Sequence, residues 1–195
     1  ETLRRKPKNL KMKIEIKPLI EFFKKIPPQI KYFIVSISIS TFAWSMMNLY
    51  FIFYAFDIIG IQPIEWGILM GIELLSLGFF TFAGAKISDK YGRRNVILIS
   101  LLMFALIPLM YINSHNFFQL SLLYILMGSV GLGWASVEAY LADRTSQKLR
   151  GKTIGLSDSL LTASTIPGPL FGGILFSISP QIPFIASAII GLTSV

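Results

Sequence analysis

Three carboxylates stand inside long apolar runs, where an unpaired acid is costly. Glu73 lies near the middle of one run. Glu138 and Asp158 each lie about 8 Å from one end of another, at ~1.5 Å rise per residue. A carboxylate at a bilayer centre costs on the order of 3 kcal/mol on insertion scales, so it must face protein or water. An acid that gains and loses a proton between two conformations would tie a conformational cycle to a proton gradient. The competing reading is structural: each acid pairs with a basic residue or caps a helix end. For Glu138 and Asp158, partners are at hand in Arg93, Arg144 and Lys152, because shallow acids can snorkel to them. Glu73 has no charged neighbour in its own run. Asp57, close to the end of its run, reads as a solvated residue.

Helical spacing puts Glu138, Trp134, Gly131 and Tyr124 on one face, and Asp158, Thr162, Thr165 and Gly172 on another. Such stripes would line a water-filled cavity. Asn48, Tyr50 and Tyr54 form a weaker set, since aromatic residues in such runs more often pack or anchor at interfaces. Other chemistry is disfavoured. The chain has no Cys, which removes disulfides, thiol catalysis and Cys-based metal sites. Its one histidine, His115, falls in a polar turn, so no metal site is expected. No nucleophile–base set appears in or near the runs, which argues against an enzyme, a lipid-modifying one included. No G-x-x-x-x-G-K-[S/T] loop is present for nucleotide-driven work. No cofactor is expected.

The elements that must position these residues follow from charge. The 18 Lys and Arg residues fall in three clusters: ten in 4–31, four in 86–94 and four in 144–152. Each gap between clusters is long enough for two membrane crossings. Basic residues resist translocation, so the clusters mark a cytoplasmic face and put the N-terminus there as well. The chain is 53% hydrophobic and only 14% charged. Its mean hydropathy is +0.65. A soluble domain of this length could not hide so much apolar surface. The net charge of +8 is accounted for by loops facing anionic headgroups, without a nucleic-acid partner.

Spans of about 20 residues cross roughly 30 Å of hydrocarbon, and only helices can form them from segments like these. Six are predicted: 32–59, 64–87, 95–112, 117–142, 153–178, and one from 184 onward. The fold class is therefore an all-α, polytopic membrane bundle over 32–195, preceded by a basic cytoplasmic lead-in over 1–31. Within that lead-in, 18–26 has the pattern of an amphipathic helix lying on headgroups, ended by Pro27 and Pro28, and 1–17 reads as a linker. Pairs of small residues at Gly67 and Gly71, Gly128 and Gly131, and Gly168 and Gly172 would allow close helix approach. The chain opens on Glu1 and stops at Val195 inside an apolar run, the expectation for a piece of a longer protein.

The loop after the second span, Ala85 to Arg94, reads A-K-I-S-D-K-Y-G-R-R. It resembles the signature loop of the major facilitator superfamily, G-x-L-a-D-R-x-G-R-R. Asp89, the base Lys90, Gly92, Arg93 and Arg94 match; Ala85 stands at the first Gly, with Gly84 just before it. Asp143-Arg144, followed by Arg150-Gly151, is similar to that family's D/E-R…R-G inner loop. Pro167, Gly168, Pro169, Gly172 and Gly173 are similar to its G-P-x-x-G-G element.

The resemblance implies one six-helix half of a twelve-helix transporter in the plasma membrane, with the missing half as partner. The basic lead-in is similar to the family's central linker, and Glu1-Thr2-Leu3 looks like the end of a preceding helix, which favours the C-terminal half. It implies secondary transport of a small solute by alternating access, with protons as the coupling ion and lipids as surroundings. Asp89, Arg93 and Asp143 would form a gate latch. The first, second, fourth and fifth spans would face the central path and the charge-free third would lie outside. A transport-dead sensor or scaffold on the same fold is the alternative.

Overall fold

The structure, a computed structural model, describes Phe23 and residues 26–195. The linker over 1–17 and all but Phe23 and Ile26 of the predicted amphipathic helix lie outside the described residues. Among the described residues there is no strand. The bundle is all-α, as an apolar chain in lipid requires, because every backbone donor must be satisfied within its own segment.

The first span comprises α1 (Pro28–Asn48), α2 (Tyr50–Tyr54) and a π-helical turn (Ala55–Ile59). It begins earlier than the sequence suggested: Pro28 sits in the first turn of α1, where a missing N–H costs nothing. The second span is α3 (Pro63–Tyr91), opened by a capping box between Gln62 and Glu65. The third is α4 (Arg93–Ile112). The fourth divides into α5 (Phe117–Gly128) and α6 (Gly131–Arg144), and the fifth into α7 (Arg150–Thr165) and α8 (Gly168–Ile178). Asn116 caps α5 by accepting from the Gln119 amide at 2.9 Å. The sixth apolar segment forms α9 (Ile182–Leu192), 11 residues and shorter than a full crossing, whereas the other five are long enough to span a membrane.

Two predicted boundaries change. The loop expected over 88–94 is almost entirely helical, since α3 runs to Tyr91 and α4 starts at Arg93. Gly92 alone makes the turn, at φ 86°, ψ 132°, a conformation open to glycine and strained for other residues. The fourth and fifth spans are each broken, at Ser129–Val130 and at Ile166–Pro167. In the fifth, Pro167 and Pro169 remove two donors from the ladder.

The packing runs as a path through the spans. The second packs on the fourth, the fourth on the third, the third on the sixth, the sixth on the first, and the first on the fifth. Exchanging the first three spans with the last three reverses this path and leaves it unchanged. Because each triplet enters from the opposite side, this is the packing of an inverted three-helix repeat. The second and fifth spans end the path: 12% and 17% of their apolar windows are buried, against 39–44% in the first, third and fourth.

The core has two parts. At the end away from the basic loops, Phe51, Tyr54, Tyr111, Tyr124 and Phe184 pack with Met47, Leu69 and Ile107. At the basic end, Ile26, Ile30 and Ile34 pack with Leu141 and Leu156. Hydroxyls stitch spans together: Thr41 to Ser164 at 2.7 Å, and Ser187 to the Ala43 carbonyl at 2.7 Å.

Candidate functional site

The basic end brings three helices to one guanidinium. Arg93, first in α4 after the Gly92 turn, donates to the Ala139 carbonyl of α6 at 2.8 Å and to the Asp143 carboxylate. Asp89, one turn earlier in α3, lies 3.9 Å from the same group. Asp89, Arg93 and Asp143 thus meet at a single point. Arg144 points elsewhere, reaching the Gln29 side chain of α1 at 3.3 Å and lying over the Tyr140 ring. Arg150 closes the second basic loop on the Ala142 carbonyl at 3.1 Å. Lys90 lies over the Tyr91 ring, and Arg94 is exposed on the rim of the same groove.

The carboxylates inside the spans behave otherwise. Glu138 and Asp158 are exposed and pair with no base among the described residues. The expected pairing with Arg93, Arg144 and Lys152 does not form. Arg93 is taken by Asp143 and Asp89, and Arg144 by Gln29. Glu73 is half-buried and makes no hydrogen bond or ion pair with any described residue. It sits on the α3 strip that meets the fourth span, between Trp66, whose ring contacts Tyr124, and Ser76, which donates to the Ile125 carbonyl at 2.6 Å.

The two predicted stripes divide where their helices break. Trp134 and Glu138 are exposed, whereas Gly131 and Tyr124 are buried against other helices. A Cβ on Gly131 would meet the Thr81 hydroxyl at 2.5 Å. Asp158 and Thr162 are exposed and Thr165 is half-buried, but Gly172 faces α1. The break after Thr165 rotates α8 away from the face that α7 presents. Gly168 abuts Ser45, Gly172 the Met46 carbonyl and Gly173 the Tyr50 hydroxyl. Pro169 is exposed, and its carbonyl accepts from Tyr50 at 2.8 Å. Asn48 is exposed at the break in the first span, while Tyr54 is buried and donates to the Ile112 carbonyl at 3.2 Å.

Sequence reasoning noted Gly84 but gave it no packing role, whereas a Cβ there would come within 2.8 Å of the Leu132 backbone. The signal was its place immediately before the motif's first position. It also missed the complete burial of Tyr124 in the aromatic core with Phe51, Tyr111 and Phe184. No pattern in one sequence reports that.

Inverted three-helix packing, apolar spans and a charged turn at one end define a polytopic helical membrane protein. The family model described as Major Facilitator Superfamily matches residues 33–195, and the chain belongs to that superfamily. It is similar to the quinolone resistance protein NorA of Staphylococcus aureus, 27% identical over 135 residues, which are 69% of this chain and 35% of that protein. It is also similar to the uncharacterized MFS-type transporter MJ1317 of Methanocaldococcus jannaschii, 25% identical over 177 residues, 88% of this chain and 44% of that one. The chain therefore spans less than half the length of either relative.

Proposed function

We propose that this chain is one six-helix half of a secondary transporter, moving a small solute across the membrane by alternating access and coupled to protons. The observation that carries the reading is Glu73, a midspan carboxylate with no partner among the described residues. An acid kept there at a cost in insertion energy has a role in the cycle that a neutral residue would not fill. The Asp89–Arg93–Asp143 cluster is the basic-end gate, made in one conformation and broken in the other. The basic loops and N-terminal segment are cytoplasmic, following the charge bias. The partner half covers the second and fifth spans, which are left least buried here. Glycines with open space around them, Gly67, Gly71 and Gly78 on α3 and Gly155 on α7, suit close approach by its helices. This function needs no bound cofactor, metal or covalent chemistry.

The staphylococcal relative is named for quinolone resistance, which makes export of an organic solute the first direction to assay. The full-length protein, reconstituted in liposomes, is given a proton gradient and a solute panel that includes quinolones. Wild type is expected to accumulate at least one solute. Glu73→Gln is expected to keep solute exchange and lose gradient-driven accumulation. Wild-type accumulation by the variant removes the coupling role from Glu73, and absence of flux with every solute removes transport.

A further inference from the structure

An apolar groove of about 540 Å³ follows the seam between α1 of the first span and α7 of the fifth. Ile34, Val35, Ile39 and Phe42 form one wall, and Leu160 and Ala163 the other. Ser38 and Ser164 also line it, and no charged side chain of the described residues does. The groove is bounded at both ends. Phe23, from the lead-in, stands at the basic end. Pro167, at the break in the fifth span, and the edge contact of Phe42 with Phe171 mark the other. From Ile34 to Phe42 is ~12 Å along α1, at ~1.5 Å rise per residue. One leaflet of a ~30 Å hydrocarbon core is roughly 15 Å deep.

The groove lies away from the acids exposed within the spans. At ~100° per residue, Leu160 and Ala163 stand about 160° and 140° round α7 from Asp158. A partner half that covers Asp158 lies across α7 from the groove, which is left to lipid. The mouth of the groove is basic. Lys152, Leu156, Leu160 and Ala163 follow one another at three- and four-residue spacing, so Lys152 is on the groove face of α7. It is exposed and has no ion pair among the described residues. Lys31, Val35, Ser38 and Phe42 are placed the same way on α1, and the Lys31 ammonium sits 5.8 Å from the centre of the Phe23 ring. Both helices start at the basic end, so both lysines lie about one turn outside the apolar walls, at headgroup depth. In the sequence Phe23 is flanked by Glu21 and by Lys24 and Lys25, which adds to the positive balance.

We propose that this groove holds one acyl chain of an anionic phospholipid from the basic-side leaflet, with the lipid phosphate between Lys152 and Lys31. The apolar walls suit the chain, the length suits one leaflet, and a lysine on each wall suits the charge of the headgroup. The chain fills the notch beside the break at Ile166–Pro167, where α7 gives way to α8. The site stands apart from the coupling role of Glu73 and survives its loss.

The test places the full-length protein in phosphatidylcholine nanodiscs with a trace of phosphatidylglycerol that carries a photoreactive acyl chain. Crosslinked residues are mapped by mass spectrometry while unlabelled phosphatidylglycerol is raised. Labelling is expected on Val35, Ile39, Leu160 and Ala163, and is expected to fall as the unlabelled lipid competes. The same photoreactive chain on phosphatidylcholine labels them more weakly. Lys152→Gln is expected to raise the phosphatidylglycerol needed for half-competition about fivefold, the effect of one lysine near an anionic surface. Lys86→Gln, which loses the same charge on α3, leaves it unchanged. Ala163→Trp fills the groove and is expected to abolish labelling of Val35 and Ile39, while Ile99 and Met110, exposed on α4, keep theirs. Equal labelling by the two lipids overturns the proposal, and so does labelling of the groove that competes no better than that of Ile99, since the contact is then ordinary surrounding lipid. A groove left unlabelled beside a labelled α4 also overturns it, because a helix of the partner half or the lead-in then covers the groove.

Discussion

Arg93 joins α4 to α6 through one side chain, yet its ion pairs are not what holds the bundle together. The Asp143 side chain is 59% exposed and that of Asp89 is 73% exposed, so each pair is worth about 0–1 kcal/mol in water-facing surroundings. A contact that cheap to break suits a gate better than a strut. Asp143→Asn is expected to shift the melting temperature by no more than a few degrees, in line with so small a pair energy. It is also expected to raise the labelling rate of a cysteine introduced at the basic end, in a chain that has none of its own. The exchange Arg93→Asp with Asp143→Arg is expected to return labelling toward wild type. An unchanged labelling rate in Asp143→Asn would remove the gating role. The members of this cluster stand out in the sequence because they follow one another in a charged, glycine-containing turn. Charge order along the chain leaves open whether Arg93 meets Asp143 or Glu138, and only the family resemblance pointed to Asp143.

At the scale of elements, glycines of like spacing have unlike roles. Gly168 and Gly172 seat α8 against α1, and a Cβ on Gly172 would lie 1.9 Å from the Met46 carbonyl oxygen, a backbone atom that cannot step aside. Gly67 and Gly71 carry the same spacing and have nothing within 4 Å. Gly172→Ala is expected to cost about 1–3 kcal/mol through overpacking, read as a lower unfolding temperature in detergent. Gly151→Ala, also with nothing within 4 Å, is the control. It is expected to be neutral or to stabilise by up to ~1 kcal/mol, because alanine favours a helix over glycine. Equal effects of the two would mean that the first and fifth spans are not held by this contact. The breaks at Ser129–Val130 and Ile166–Pro167 belong here too. Each turns the second part of its span, so a face drawn through the whole span by helical spacing mixes two faces. Tyr124 and Trp134 were joined that way, and so were Thr162 and Gly172.

The whole molecule is a path of packed helices whose two end members are incompletely covered. Lipid tolerates apolar side chains such as Leu74, Phe79, Ile166 and Leu170, all well exposed. It does not satisfy Asp158, Glu138 or Thr162, exposed within the spans. Produced alone, the chain is therefore expected to self-associate in mild detergent, and to become monodisperse when produced together with the partner half proposed above. Size-exclusion chromatography with light scattering reads the difference. A stable monomer without that partner would mean that these polar faces are closed by rearrangement within the chain itself.

The sequence alone determined the class of fold, the membrane environment and the superfamily, because each is written in local quantities. Run length and hydropathy set the spans, spacing of basic clusters sets their number, and an ordered turn motif carries the family resemblance. Only the tertiary structure decided which groups meet. It left Glu138 and Asp158 without a base among the described residues, pressed Gly172 but not Gly71 against a neighbour, and turned Tyr124 and Trp134 onto different faces. These outcomes depend on the register between helices far apart in the chain. That register is set by close packing of many side chains at once, a property that no single position carries.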